Sequence, residues 1–464
     1  MTDNHNYNTP AIGSSNWGSP LNTNFEELDT DVEIRDTEAN KSNYTPKDGA
    51  LYRATDTGAV YQGDGSSWNL VDLEVGSLST ENAAIKIYAE RIQLSRYATS
   101  GSGTDADPYK IDLADVFNDS ELTQETALVV DGIFEVSSQQ DVPPQYQFVG
   151  NAGRDTNDRG SVIRAEPGFS DPRIIKFVEG DTATLDQRNF GGAVGVFFDG
   201  NQEVDNLILL SSGIRNRFFY RCSFRRALGN AIDVRNRKST FTDCDIGDNL
   251  NSGSALAVYL KGTRQTTFRS CRFASNDKDV DIVTVGGLKE VLFEDCTFAN
   301  HNYNPSFRIQ DSDSGPVDPA AILHISDCRW LDFGAAVNGI KIGQGNNVET
   351  AIPIHLSHVY FDGTAREDGN PTGNKAINFP GGTAPRGIYA DNLQARNFTN
   401  SPVIDFSADL DNVRHNGVVE VSSTPSAADW DSDDAGMTLV DKSSTADPYD
   451  RYTVLNDGTL DGPF

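Results

Sequence analysis

A six-residue frame, apolar, polar, polar, cysteine, polar, apolar, recurs five times and holds all five cysteines of the chain. Its copies start at Phe219, Phe241, Phe268, Phe293 and Ile325 and end at Phe224, Ile246, Phe273, Phe298 and Trp330. Two later copies follow when another apolar residue takes the cysteine position, one from Leu356 with Val359 and one from Ala390 with Leu393. Successive starts lie 22, 27, 25, 32, 31 and 34 residues apart. Repetition at such a period belongs to a solenoid, whose units bury their apolar faces against their neighbours.

Between the frames stand other short apolar runs: "NAIDV" from Asn230, "ALAVYL" from Ala255, "VDIVTV" from Val280 and "NGIKIG" from Asn338. Nothing there is long enough for a crossover helix, so each turn holds at least two strands with polar corners. Parallel strands that hydrogen-bond to their equivalents one turn above and below satisfy this pattern. Equivalent residues then stack about 4.8 Å apart. An inward position in a narrow interior suits cysteine, a small polarizable hydrophobe. Cys222, Cys244, Cys271, Cys296 and Cys328 are therefore expected to form one inner row of free thiols, flanked by rows of Phe, Ile and Trp. Five is an odd number and stacked neighbours would strain a bridge. No Cys-x-x-Cys pair marks a zinc site.

The 464 residues carry a formal net charge of -30, with 12 Lys against 26 Arg and a hydrophobic content of only 37%. Gly, Asn, Asp, Ser and Thr punctuate the chain, which reads as all-β with many turns. Abundant carboxylates and scarce lysine suit a protein kept soluble in very high salt, where self-repulsion is screened; an ordinary acidic secreted or viral protein is the alternative. Either charge balance argues against binding nucleic acid or an anionic membrane through broad electrostatics. No window of 18 apolar residues predicts membrane insertion. The opening "MTDNHNYNTPAIGSS" lacks the basic, apolar, small-residue succession of a secretion signal.

Three regions are expected. Residues 1–98 form an attachment segment: Leu21, Phe25, Leu28 and Val32 follow heptad spacing in a short helix, a surface helix or an oligomeric stalk, and residues 49–72 read as a hairpin ending in Trp68 with "DTG" and "GDG" turns. Residues 99–420 form the coil. Residues 421–464 form a small β module that caps its open end, since bare strand edges invite stacking.

The cysteine frame, "GVFFDGN" from Gly195, "LILLSSGIRNRFFYRCSF" from Leu207 and "SGSGTDADPYKIDL" from Ser100 resemble right-handed parallel β-helix proteins of the pectate-lyase-like group. The resemblance covers about residues 100 to 420 and marks the fold better than the function, because lyases, glycosidases, tailspikes and passive adhesins share it. The N-terminal segment, "NYNTPAIGSSNWGSPLNTNFEELD" with the hairpin after it, resembles the equivalent part of haloarchaeal and tailed-virus fibre proteins.

Catalytic signatures are scarce. The Gly-His-Gly and Arg-x-Lys motifs of β-helix glycosidases are absent, as are a nucleophile elbow, a phosphate loop and a zinc-hydrolase helix. A carboxylate pair stays possible, being defined in space rather than in sequence. No cofactor is expected beyond a possible structural divalent cation, for which Asp277, Asp279 and Asp281, or Asp311 and Asp313, are weak candidates; neither run has a complete calcium loop, and solvated surface is the plainer reading. His355 and His358 flank an inward strand as an outward pair, surface positions rather than ligands.

Basic residues concentrate between Arg215 and Lys238, with Arg217, Arg221, Arg225, Arg226, Arg235 and Arg237 between them. Stacking would gather them into a patch for an acidic partner, a neighbouring subunit or an acidic glycan, unless they pair with nearby Asp and Glu. The lengthening coil spacing places extra residues at 299–321 and 362–387, read as loops on one edge that carry glycan or receptor contacts through His301, Tyr303, Asn304, Arg308, Arg366, Asn370, Asn374 and Arg386. Subunit contact is the competing use of those loops.

These features together lead to the expectation of a virion surface protein, a tail fibre, spike or capsid turret of a tailed virus of a halophilic archaeon. Its expected partners are itself, as a homotrimer, other virion proteins through the N-terminal segment, and a host glycan or glycoprotein. The alternatives are a polysaccharide lyase or glycoside hydrolase and a purely architectural virion component.

Overall fold

The computed structural model describes residues 34–47, 49–55, 60–71, 90–119, 126–144, 146–151, 160–178, 191–251, 253–284, 288–301, 305–311, 322–333, 338–342, 353–364, 375–379, 388–396, 404–406, 413–421, 437–441, 450–455 and 459–463. Two compact units separate between Ile87 and Tyr88.

In the first unit, Ile34–Asp36 runs parallel to Leu51–Ala54, which continues antiparallel into Val60–Gly63 and Trp68–Val71. The expected hairpin is thus three strands with a fourth alongside, and Trp68 opens the last strand instead of closing the module. Tyr52 is fully buried at its centre, with ring centroids 5.6 Å from Tyr44, 6.3 Å from Tyr61 and 5.6 Å from Trp68. The Gly-Asp-Gly turn closes through Asp64, whose carboxylate accepts from the amides of Ser66 at 2.9 Å and Ser67 at 2.7 Å. The predicted helix from Leu21 to Val32 lies outside the described residues.

The second unit is a right-handed parallel β-helix with three faces. Its coil begins earlier than residue 99, because Glu90–Gln93 already pairs in parallel with Thr126–Val129. The short helix Leu113–Phe117, capped by Asp112 accepting from the Ala114 amide at 2.9 Å, buries Leu113 and Val116 against Gln140–Val142. From there strands repeat in threes. Arg217–Tyr220, Ser223–Arg225 and Asn230–Val234 make one coil; Lys238–Thr242, Asp245–Gly247 and Leu256–Lys261 stack on it in register.

The corner between the first two faces explains the frame. The residue before each cysteine is left-handed: Arg221, Asp243, Ser270, Asp295 and Asp327 have φ of 53°, 53°, 51°, 51° and 54°. His358 and Asn392 continue the series at 52° each. This conformation admits short polar side chains more readily than branched apolar ones, so the position reads as polar. The turn swings the next residue inward. All five cysteines have 0% exposure, and each thiol donates to the first frame residue's carbonyl one coil earlier, Cys222 to Ala193 at 3.3 Å and Cys244 to Phe219 at 3.5 Å among them. The thiols are free. Burial, with the neighbouring thiols adding to it, pushes Cys244 and Cys296 well above the ordinary thiol value. One further frame precedes the five: Gly195, at φ 61°, turns Val196 inward where later coils place cysteine.

Aromatic rows flank the thiols. Phe219, Phe241, Phe268 and Phe293 stack at 4.8, 4.8 and 4.9 Å, and Phe273, Phe298, Trp330 and Phe361 at 4.7, 4.4 and 4.8 Å. At the other end, Val413–Val421 passes its parallel register to Met437–Asp441, which then pairs antiparallel with Arg451–Val454, itself antiparallel to Leu460–Asp461. The expected boundary at 420/421 falls inside a strand.

Candidate functional site: a row of cations on one edge of the coil

The corner that leads into the first face recurs from coil to coil, its first backbone bond lying one residue earlier than the other three. The amide of Arg237 donates to the Ile214 carbonyl at 2.9 Å, Gln265 to Arg237 at 3.0 Å, Glu290 to Arg264 at 2.8 Å and Ile322 to Lys289 at 2.7 Å. Register therefore sets Arg215, Arg237, Arg264 and Lys289 at one position of four successive coils. The next position carries Asn216, Lys238, Gln265 and Glu290. These side chains line an open groove of about 550 Å³. Arg215, Lys238, Arg264 and Lys289 are exposed and Arg237 is half-buried.

Among the described residues four cations without an ion pair, Arg215, Arg237, Lys238 and Arg264, stand here with Lys289 and one carboxylate, Glu290, on a chain whose formal net charge is -30. Arg215, Arg237, Lys238 and Arg264 make no ion pair among the described residues, and Glu290 Oε2 accepts from Gln265 Nε2 at 3.1 Å. Charge repulsion between neighbouring rungs favours an external anion there.

The remaining basic residues of the sequence cluster do not join this row. Arg221 pairs with Asp243 at 3.1 Å, Arg226 grips Asp199, and Arg235 grips Asp233 at 2.9 and 2.7 Å. Arg225 holds Asp245 and Asp248; burial works against its charge, the carboxylates outweigh that, and its pKa is raised. Arg217 is buried over the Phe177 ring, 5.5 Å from its centre. A patch gathered from all eight is corrected accordingly: Arg215, Arg237 and Lys238 face the groove, and Arg264 and Lys289, which complete it, were missed. A signal for them existed. Each rung stands four residues before a frame start, so the rungs repeat the 22, 27 and 25 spacing.

The segment expected as a loop from 299 to 321 contains regular coil strands, Thr297–His301 and Phe307–Asp311. His301 ends the first. Arg308 lies on the second and binds both carboxylate oxygens of Asp281, so it is a structural cation and not a loop contact. Tyr303, Asn304, Arg366, Asn370, Asn374 and Arg386 lie outside the described residues, as does Asp313. Asp311 ends its strand. The alternating aspartates turn to separate partners. Asp277 accepts from the amides of Asn251 at 2.6 Å and Gly253 at 2.8 Å, Asp279 from Asn276 at 3.0 Å and Ser306 at 2.6 Å, and Asp281 from Arg308. These three are buried hydrogen-bonding residues instead of solvated surface, and among the described residues no group of three or more His, Cys, Asp or Glu is arranged to hold a metal ion.

His355 and His358 are not a pair. His355 stacks outward between His324 at 4.9 Å and Tyr389 at 4.8 Å, while His358 occupies the left-handed corner with Nδ1 2.9 Å from Ser357 Oγ. Burial, and then the His324 charge, lower the His355 pKa.

The fold and this edge define a right-handed parallel β-helix protein bearing an exposed row of cations. The family described as "Right handed beta helix region" matches residues 177–352. No curated protein matches the sequence. Among solved structures the chain is similar to ORF18 of Geobacillus virus E2, at 13% identity and a TM-score of 0.42 over 83% of this chain and 74% of that one. It is also similar to the catalytic unit of a thermostable GH87 alpha-1,3-glucanase from Streptomyces thermodiastaticus strain HF3-3, at 11% identity and a TM-score of 0.48 over 80% of this chain and 67% of that one. Likeness at these identities concerns the fold alone.

Proposed function

We propose that this protein is a virion surface component that attaches to an anionic polymer of the host envelope through the cation-lined groove. The observation that carries the reading is the in-register row Arg215, Arg237 and Arg264, which make no ion pair among the described residues, on so acidic a chain. Virion attachment rests on the resemblance of the N-terminal segment to virus fibre proteins, and a homotrimer joined there is part of the reading. Residues Tyr303, Asn304, Arg366, Asn370, Asn374 and Arg386 would add stacking and hydrogen-bonding groups.

A glycan-cleaving enzyme on this fold would place two carboxylates across a bound chain. Among the described residues the groove offers one carboxylate, Glu290, which supports binding over cleavage. Incubating the protein with host envelope glycans distinguishes the two, since a binder yields retention and an enzyme yields fragments. Arg237→Ala with Arg264→Ala should abolish retention; full retention by that variant removes the groove from the proposal.

A further inference from the structure

We infer that His324 and His355 together bind one divalent transition-metal ion on the outer side of the first face, clipping two successive coils to each other. The inference is independent of the groove. Both rings leave the coil by alternation: Leu323, Ile325, Ile354 and Leu356 are buried, and the histidines between them are half-buried. Register sets the two side by side, with Leu292 one coil before them and Tyr389 one coil after. The distance between their backbones is therefore held by the sheet and costs a ligand nothing.

That distance is the one a metal ion needs. An imidazole nitrogen binds Zn²⁺ at about 2.0–2.1 Å, which puts the ring centre about 3.2 Å from the ion. Two such rings meeting at an angle of about 90–110° at the ion have centres about 4.5–5.2 Å apart. The His324 and His355 ring centroids are 4.9 Å apart. Each ring lies close to the axis of its Cβ–Cγ bond, a broad torsion, so turning the ring aims a nitrogen while its centre stays near its place. Two neutral nitrogens select a borderline ion, Zn²⁺, Ni²⁺ or Cu²⁺, over Mg²⁺ and Ca²⁺, which take oxygen ligands. Among the described residues no third His, Cys, Asp or Glu is arranged to join them, so water completes the coordination and the ion stays open to exchange. His358, on the corner, turns elsewhere: its Nδ1 stands 2.9 Å from Ser357 Oγ and 3.9 Å from Asp327.

The test is titration of the metal-stripped full chain with Cu²⁺ at about pH 7.5, where unperturbed imidazole is neutral. Electron paramagnetic resonance counts the nitrogens bound to the ion. The native chain should show two imidazole nitrogens on its tightest Cu²⁺, and added Mg²⁺ should not displace that ion. His324→Gln and His355→Gln should each remove the two-nitrogen signal and weaken binding at least tenfold, whereas His358→Gln should change neither. Zn²⁺ should raise the melting temperature of the native chain and of His358→Gln but not of the other two variants. A two-nitrogen signal that survives His324→Gln or His355→Gln would put the ion on other histidines, and a one-nitrogen signal in the native chain would show that the two rings share no ion. Either result overturns the inference, as does the absence of binding at about millimolar Cu²⁺. Both histidines face outward, and unchanged circular dichroism of the variants would exclude misfolding as the cause.

Discussion

The thiol of Cys271 donates to the carbonyl of Phe241 at 3.4 Å, and Phe241 is the first frame residue one coil below. Cysteine here packs and donates at once, which a valine cannot do. Cys271→Ala removes one buried atom and one weak hydrogen bond and should cost about 1–2 kcal/mol in urea unfolding. Cys271→Asp would bury an unpaired charge and should prevent folding. A thiol reagent should leave the native protein unlabelled and modify five positions in denaturant; rapid native labelling of Cys271 would contradict the packing.

The left-handed corner predicts an ordered series at Asp327, φ 54° and exposed. Asp327→Gly should be close to neutral. Asp327→Val should destabilise by about 1–2 kcal/mol, because a branched side chain is strained in that conformation. Equal melting temperatures for the two variants would show that the corner tolerates any residue.

Asp281 and Arg308 form a two-point ion pair whose side chains are 2% and 18% exposed. Asp281→Ala removes both contacts that Asp281 makes to the guanidinium and should cost about 3–5 kcal/mol. Adding Arg308→Leu should recover most of that loss, so the double variant melts above the single one.

The stack of His324, His355 and Tyr389 makes stability fall in acid. Since the folded pKa of His355 is lowered by burial and by His324, the unfolded chain takes up protons first as the solution is acidified. The contribution is full above about pH 6.5 and is lost as pH drops toward the folded value. Thermal melts from pH 7.5 to 5 should show a decline that His355→Gln reduces; a parallel decline in the variant would assign it elsewhere.

The coil was legible from the sequence where its corner chemistry is distinctive. A polar residue before a small apolar one, framed by Phe, records a left-handed turn and an inward row. Upstream the same turn is made by Gly195 and Val196, residues common in any β sequence, and the copy passed unnoticed. Pairing was illegible for a different reason. Whether Arg225 or Arg237 faces an anion depends on which carboxylate stands one coil away, and nearness in sequence puts the two arginines in one group. Only the register separates Arg225, held by Asp245 and Asp248, from Arg237, which has no such neighbour among the described residues. The segment around Arg308 misled through its length, because extra residues between frames were read as one loop while two strands of the coil ran through it.

The antiparallel turn-back of Arg451–Val454 onto Met437–Asp441 has a meaning for how such a molecule is measured out. A parallel coil presents at its last edge the same pattern that it presented one turn before, and nothing in that pattern says stop. Reversing direction replaces the repeating edge with one of another kind. The number of coils thereby becomes a count written in the gene, and since each coil touches only those beside it, whole periods can be gained or lost between fixed ends without redesigning either.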